Sequence, residues 1–220
     1  MPIQSSAILL FSRTASAEAA TKGFGAGGAG KRITSALIDR TVATLAQTDL
    51  AVFRSDESKQ VGTTFGERLT NAITAVFDQG VERLMIVGND CPQLTPSHLR
   101  AAAQLLEKGH NVIGPDRRGG TWLIGLQRAD FNAMSFAELP WESEFLYAEL
   151  ARSLPARIDV ASLGDLNTFE DLSQQWFLLR RQLSELFDLL LISKTAFGLE
   201  AEARETTAVF RRLGRAPPVG

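Results

Sequence analysis

The sequence predicts an α/β domain built on a mostly parallel sheet with helices on both faces, followed by a C-terminal helical extension. Short apolar runs alternate along the chain with segments whose apolar residues recur every three or four positions. The runs are continuous rather than alternating, as expected of strands covered on both faces. The helical segments between them are long enough to serve as crossovers, which parallel neighbours require.

The first run, Ala7 to Phe11, predicts the first strand. A long Gly/Ala-rich segment follows, from Ser12 to about Arg32. Ile33, Leu37, Ile38, Val42 and Leu45 then recur at helical spacing, and Leu50 to Phe53 predicts a second strand. Phe65, Leu69, Ile73, Val76 and Phe77 mark a second helix, stopped by Gly80 in the position that favours a left-handed backbone. Leu84 to Val87 is the third strand. Thr95 before Pro96 starts the next helix, which runs to about Lys108, with a hydroxyl cap and proline in the first turn. Asn111–Ile113 and Thr121–Leu126 predict two strands flanking the loop from Gly114 to Gly120. Beyond Asp130 the spacing predicts a helix over 142–153, a strand over 157–160 and a helix from Phe169 onward. Asp165, Glu170 and Asp171 read as carboxylates that cap and polarise that last helix start.

Composition excludes several classes. In 220 residues with 45% hydrophobic content there is room for one large domain, with or without an appendage. A net charge of −2 supplies no basic footprint, so nucleic acid is not an expected partner. One cysteine, Cys91, allows no internal disulfide, and two histidines, His98 and His110, are too few for a histidine zinc centre. Near the N-terminus no basic stretch leads into a signal-type apolar core, so a cytoplasmic protein is expected. Trp176, Phe177, Leu183, Leu186, Phe187, Leu190 and Leu191 make the region to Ile192 strongly apolar, yet Arg180, Arg181, Glu185 and Asp188 interrupt it. It is therefore no membrane span, and its face must be buried against the domain or, as a homodimer interface, against a second copy of the chain.

The chemistry is most visible in Gly88-Asn89-Asp90-Cys91-Pro92. Asp90 stands just past the carboxyl end of an expected parallel strand, where open α/β sheets bind ligands. The competing reading is that Asp90 only closes the turn before Pro92. Cys91 has no placed histidine partner and reads as a small buried thiol.

Taken in order, several segments resemble a bacterial family of GT-A-like proteins, the radical-SAM- and selenodomain-associated transferases. They are Phe11-Ser12-Arg13, Thr64-Phe65-Gly66-Glu67-Arg68-Leu69, Gly88-Asn89-Asp90-Cys91-Pro92-Gln93-Leu94, Gly114-Pro115 to Gly119-Gly120, Leu123 to Leu126, Leu139-Pro140-Trp141 and Asp165 to Thr168. The resemblance implies a GT-A-like, Rossmann-like fold and membership of the nucleotide-diphospho-sugar transferases, whose relatives include small-molecule nucleotidyltransferases. It implies that Asp90 helps to hold Mg²⁺ or Mn²⁺ against a nucleotide diphosphate. It further implies that Arg13 and Arg68 meet phosphate oxygens, that Gly119-Gly120 let backbone approach a ligand, and that Trp141 walls an acceptor pocket. Trp122 would serve likewise if it faces that pocket.

Two departures stand out. The family carries Asp before the double glycine, where this chain has Arg118, within Asp116-Arg117-Arg118-Gly119-Gly120. That change removes a metal ligand or base and adds a charge that suits an anion. The segment after the first strand is also longer and Gly-rich, with Lys22, Lys31 and Arg32. Its Gly25 to Lys31 stretch matches a phosphate-binding P-loop until Arg32, which stands where a Ser or Thr would hold Mg²⁺. A P-loop follows its strand directly, so a mobile lid or flexible phosphate-contacting loop through Lys31 is the expectation, with plain disorder of the segment as the competing reading.

The expectation is then a GT-A-like domain over 1–172, a helical extension over 173–213 and a tail over 214–220. The expected activity is a transferase using a nucleotide or nucleotide-sugar, with Asp90 catalytic and metal-binding. Arg13, Lys31, Arg68, Arg118, Gly119, Gly120 and Trp141 would form the substrate site. The alternatives are a non-catalytic anion-binding protein on the same fold and a small-molecule nucleotidyltransferase.

Overall fold

The computed structural model describes residues 5–22, 28–165 and 171. They form two compact units, the first from described residues 5–14 and 37–165, the second from 15–22, 28–36 and 171. In chain order the elements are β1 (Ser6–Phe11), α1 (Ala15–Thr21), α2 (Gly28–Leu45), β2 (Ala51–Ser55), α3 (Phe65–Phe77), β3 (Arg83–Val87) and α4 (Pro96–Glu107). They continue with β4 (Asn111–Pro115), β5 (Thr121–Gln127), α5 (Ala133–Ala137), α6 (Leu146–Ser153) and β6 (Arg157–Asp159).

The first unit holds one six-stranded sheet in the order β2-β1-β3-β5-β4-β6. β1 pairs in parallel with β2 and β3, and β4 pairs in parallel with β6. β5 runs antiparallel to both of its neighbours, β3 and β4. The cause is chain length: residues 116–120 are too few for a crossover, so β4 and β5 must form a hairpin. The mostly parallel sheet predicted from the sequence is therefore present, with one reversed strand in it.

Period-two side-chain direction divides the core between the two faces. Ala7, Leu9, Leu84, Ile86, Ile113 and Leu126 pack against Leu69, Ile73, Val76 and Phe77 of α3, with Phe136 of α5 and Leu150 of α6. Ile8, Leu10, Met85, Val87, Val112 and Leu123 pack against Leu99, Ala102 and Leu106 of α4 and Leu45 of α2. Leu84 and Ile73 are fully buried, so truncating either to Ala costs about 2–5 kcal/mol.

Local signals place the helices. Thr64 caps α3 in a reciprocal box: its side chain accepts the Glu67 N–H, and the Glu67 carboxylate accepts the Thr64 N–H. Thr95 caps α4, with Pro96 in the first turn. Two elements differ from expectation. The helix predicted from residue 142 begins at Leu146, because Glu142 sits at φ 60°, a backbone no right-handed helix accepts. The stretch read as a Gly/Ala-rich connection contains α1, in the second unit, where Glu18 and Lys22 form an i,i+4 ion pair at 3.2 Å, and the first residues of α2, so Lys31 and Arg32 lie on a helix and not in a loop.

The extension and tail expected beyond residue 172 lie outside the described residues. Among the described residues, no helix is long and apolar enough to cross a membrane.

Candidate functional site

Five strands of the sheet point the same way, so the loops that leave β1, β3, β4 and β6 collect at one edge. β5 starts from that edge. Val87 pairs with Leu10 on one side and Leu123 on the other, which sets Gly88-Asn89-Asp90 between Ser12-Arg13 and Gly119-Gly120. This is the crevice where open α/β sheets take ligands.

The Asp90 carboxylate folds back over Gly88: its Oδ1 lies 3.0 Å from where a β-carbon on that glycine would stand. The chain then turns, with the Leu94 N–H donating to the Cys91 carbonyl at 3.1 Å. Arg40 Nε donates to the Pro92 carbonyl at 3.0 Å, fixing the turn from α2. After β6 the chain runs beside β4, with Val160 N–H on the Ile113 carbonyl and Leu163 N–H on the Pro115 carbonyl. Gly164 N–H then reaches Gln93 Oε1 at 3.2 Å. Asp165 is thereby delivered to the Asp90 turn. Burial above all, and then the Asp90 and Asp165 charges, push the Cys91 thiol up to about 12. Cys91 is a neutral packing residue, and Asp90 and Asp165 are the charged groups of the turn.

Asp165 is the residue that sequence reasoning did not place here. Its signal was weak: a lone Asp ahead of a helix start reads as a cap, and only the β6 exit path brings it to Asp90.

In the β4–β5 loop, Asp116 Oδ1 accepts the N–H groups of Arg118 and Gly120 at 2.6 and 2.8 Å. Gly120 leaves room for this, since a β-carbon there would lie 2.4 Å from Asp116 Oδ2. Gly119 adopts φ 87°, and a β-carbon on it would meet the Glu144 carbonyl oxygen at 2.0 Å. Its own carbonyl accepts the Tyr147 N–H at 2.8 Å. The close approach at the double glycine is thus made by the chain's own segment 144–147. Arg117 and Arg118 are exposed at the loop's tip.

The remaining candidates distribute as follows. Arg13 is half-buried at the β1 exit. The neighbouring backbone there is held by Ser12 N–H on the Ser55 carbonyl and by Glu57, which accepts the Thr14 N–H at 2.6 Å. Arg68 lies in the first turn of α3 and donates to the Thr63 carbonyl at 2.9 Å. Trp141 stacks between Phe65 and Phe136, with ring centres 5.5 and 5.1 Å away, and its Nε1 donates to the Phe136 carbonyl. Phe65 in turn meets Phe11 at 5.5 Å, so this aromatic row reaches the carboxyl end of β1. Trp122 is a core residue, buried across Gly114 with its Nε1 on the Ala161 carbonyl. Lys31 is exposed on α2 in the second unit. Arg13, Asp90, Arg118, Gly119 and Gly120 therefore share the strand-end edge, Trp141 is linked to it through the aromatic row, and Arg68 is engaged by its own helix start.

Among the described residues, no three His, Cys, Asp or Glu side chains gather into a group that could hold a metal. Two carboxylates, Asp90 and Asp165, are what this turn offers. That donor set suits Mg²⁺ or Mn²⁺, hard cations that take one or two carboxylates and complete their shell with water and phosphate oxygens. It does not suit an ion held by protein alone.

Comparison with known proteins agrees with this architecture. The chain superposes on the crystal structure of a candidate nucleotide-diphospho-sugar transferase from Desulfovibrio desulfuricans G20. The TM-score is 0.74 at 19% identity, over 97% of this chain and 100% of that one. A segment of 64 residues is 38% identical to the 2-phospho-L-lactate guanylyltransferase of Methanocaldococcus infernus. That match covers 29% of this chain and spans 30% of the relative's length. Residues 36–143, which contain α3, β3, the Asp90 turn, the β4–β5 hairpin and Trp141, match the family described as "Uncharacterized protein conserved in bacteria (DUF2064)".

Proposed function

We propose that this protein is a transferase that binds a nucleotide or nucleotide-sugar at the carboxyl edge of its sheet and transfers a nucleotidyl or glycosyl group. The observation that carries the proposal is the placement of Asp90 at the β3 exit, between the loops that carry Arg13 and Arg118, with the Gly164 N–H on Gln93 bringing Asp165 to the same turn. The fold shared with the Desulfovibrio structure and the partial match to a guanylyltransferase support it.

In this reading Asp90 and Asp165 hold the divalent cation. When bound, the cation neutralises charge on a departing diphosphate or pyrophosphate. Arg13 and Arg118 bind phosphate oxygens with planar forks of donors, on loops already pinned by Ser55 and by Asp116. The aromatic row ending at Trp141 forms the wall on the acceptor side. Catalysis then rests on positioning and on charge stabilisation of the leaving phosphate. Cys91 takes no part, because a thiol held protonated is no nucleophile.

The test is calorimetric titration of ATP, GTP, CTP, UTP and their sugar diphosphates, with and without Mn²⁺, on wild type and Asp90→Asn. Metal-dependent binding of one nucleotide family, weakened at least tenfold in the variant, is the expected result. Equal, metal-independent binding by both proteins would instead support the anion-binding reading, with Arg118 as its principal contact.

A further inference from the structure

Asn89 stands between Gly88 and Asp90 on the exit of β3, the strand flanked by β1 and β5. It is 4% exposed, and its amide nitrogen is buried with no hydrogen-bond partner. An amide nitrogen carries two donors, and leaving them unmatched away from water is unfavourable enough that such groups in folded proteins usually mark a function, an ion or a water.

Two other buried side-chain atoms are in the same condition among the described residues, Thr70 Oγ1 and His98 Nδ1. Both have simpler explanations. The Thr70 hydroxyl is a rotor in the middle of α3. His98 lies in the first turns of α4 against Trp122, where burial lowers its pKa and a proton on Nε2 leaves Nδ1 only a lone pair. Neither stands among the strand-end loops. Asn89 does, one residue from the motif carboxylate.

We infer that the Asn89 amide nitrogen is a ligand contact, donating to a phosphoryl oxygen of the bound nucleotide. This assignment rests on the transferase reading above and deepens it. A neutral donor is the chemically suitable group at this position. A Lys or Arg next to Asp90 would form an ion pair with it and displace the cation. An amide leaves the carboxylate's charge available while still offering hydrogen to an anionic oxygen. The register places Asn89 level with the Ser12-Arg13 and Gly119-Gly120 loops, at the strand-end edge where the transferase reading puts the phosphates. The protein bears the cost of an unmatched donor without ligand and recovers it on binding, as functional sites commonly do.

The experiment compares wild type, Asn89→Ala and Asn89→Asp by thermal unfolding without ligand and by titration with Mg²⁺-pyrophosphate and the four nucleoside triphosphates. If the amide is a ligand contact, Asn89→Ala unfolds at or above the wild-type temperature and binds about tenfold or more weakly, as for loss of a hydrogen bond to a charged oxygen. Asn89→Asp, which adds a like charge facing the phosphate, weakens binding further. A fall of several degrees in the unligated Asn89→Ala protein with unchanged affinity would overturn the assignment, because the amide would then be bonded to a structural water. Wild type that binds neither pyrophosphate nor any triphosphate would overturn the transferase reading itself, and this assignment with it. Nucleotide binding by wild type with equal binding by Asn89→Ala overturns the Asn89 assignment alone.

Discussion

Asp116 separates two physical accounts of the β4–β5 loop. In one it is a displaced metal ligand that makes up for Arg118. In the other, which the geometry supports, it closes its own loop by accepting the Arg118 and Gly120 N–H groups at 2.6 and 2.8 Å. A hydrogen bond to a charged acceptor contributes about 1.5–3 kcal/mol when shielded. Asp116 is half-exposed, and water replaces part of what is lost, so removing both contacts is expected to cost about 1–2 kcal/mol in total. Asp116→Ala should lower the urea midpoint accordingly. Asp116→Asn keeps an oxygen acceptor for the same two donors and should recover more than half of the loss. In titrations with Mg²⁺ and nucleotide, both variants should keep metal dependence, and Asp116→Ala should bind more weakly because Arg118 is no longer held in place. The reasoning is refuted if Asp116→Ala unfolds like wild type while Asp116→Asn loses metal-dependent binding, since an amide replaces a loop cap but not an anionic ligand.

Cys91 should make the protein alkali-sensitive. Its thiol is pushed up to about 12 from 9.0, so above pH 9 the unfolded chain ionises first and stability falls as pH rises. The loss by pH 10 is about 1.4 kcal/mol, measurable as the difference in pH slope between wild type and Cys91→Ala, and native Cys91 should resist thiol reagents at pH 8. Trp141→Ala empties a half-buried aromatic stack and should cost about 2 kcal/mol. Nucleotide affinity should stay within about threefold of wild type, since Trp141 is assigned to the acceptor side; a loss of affinity in Trp141→Phe, which keeps the ring, would contradict that assignment.

The elements most legible in the sequence were those whose signals are local and covalent in origin. Thr64 and Glu67 announce the start of α3 because a capping box is complete within four residues. Thr95-Pro96 does the same for α4, and the apolar runs of β1 and β3 need only their own composition. The reversal of β5 was not drawn from the sequence, although the shortness of the 116–120 connection requires a hairpin there. α6 was drawn too long because nothing in the residue types over 142–145 shows that Glu142 takes a positive φ. The segment that holds it packs Glu144 beside Gly119, a contact across the fold. Asp165 was missed for the same reason, since its nearness to Asp90 depends on where β6 leaves the sheet. The double glycine was expected to let backbone approach a ligand, and the approach the structure shows there is an internal one. The partner that approaches is the Glu144 carbonyl, which no local pattern encodes.

These distinctions bear on how the edge is built electrostatically. Arg118 sits on a loop whose backbone is held by the Asp116 carboxylate and by the Tyr147 N–H on the Gly119 carbonyl, so the loop has internal contacts that fix its shape. The Asp90 turn differs: the Asp90 and Asp165 charges both bear on a neutral thiol, and the buried amide nitrogen of Asn89 has no hydrogen-bond partner. A cation alone would relieve the first condition but not the second, and a phosphate alone would relieve the second while adding charge to the first. A phosphate that brings its own Mg²⁺ or Mn²⁺ satisfies both at once. On the transferase reading proposed above, the ligand expected at this edge is a metal-chelated nucleotide, which would meet the guanidinium side as an anion and the carboxylate side as a cation.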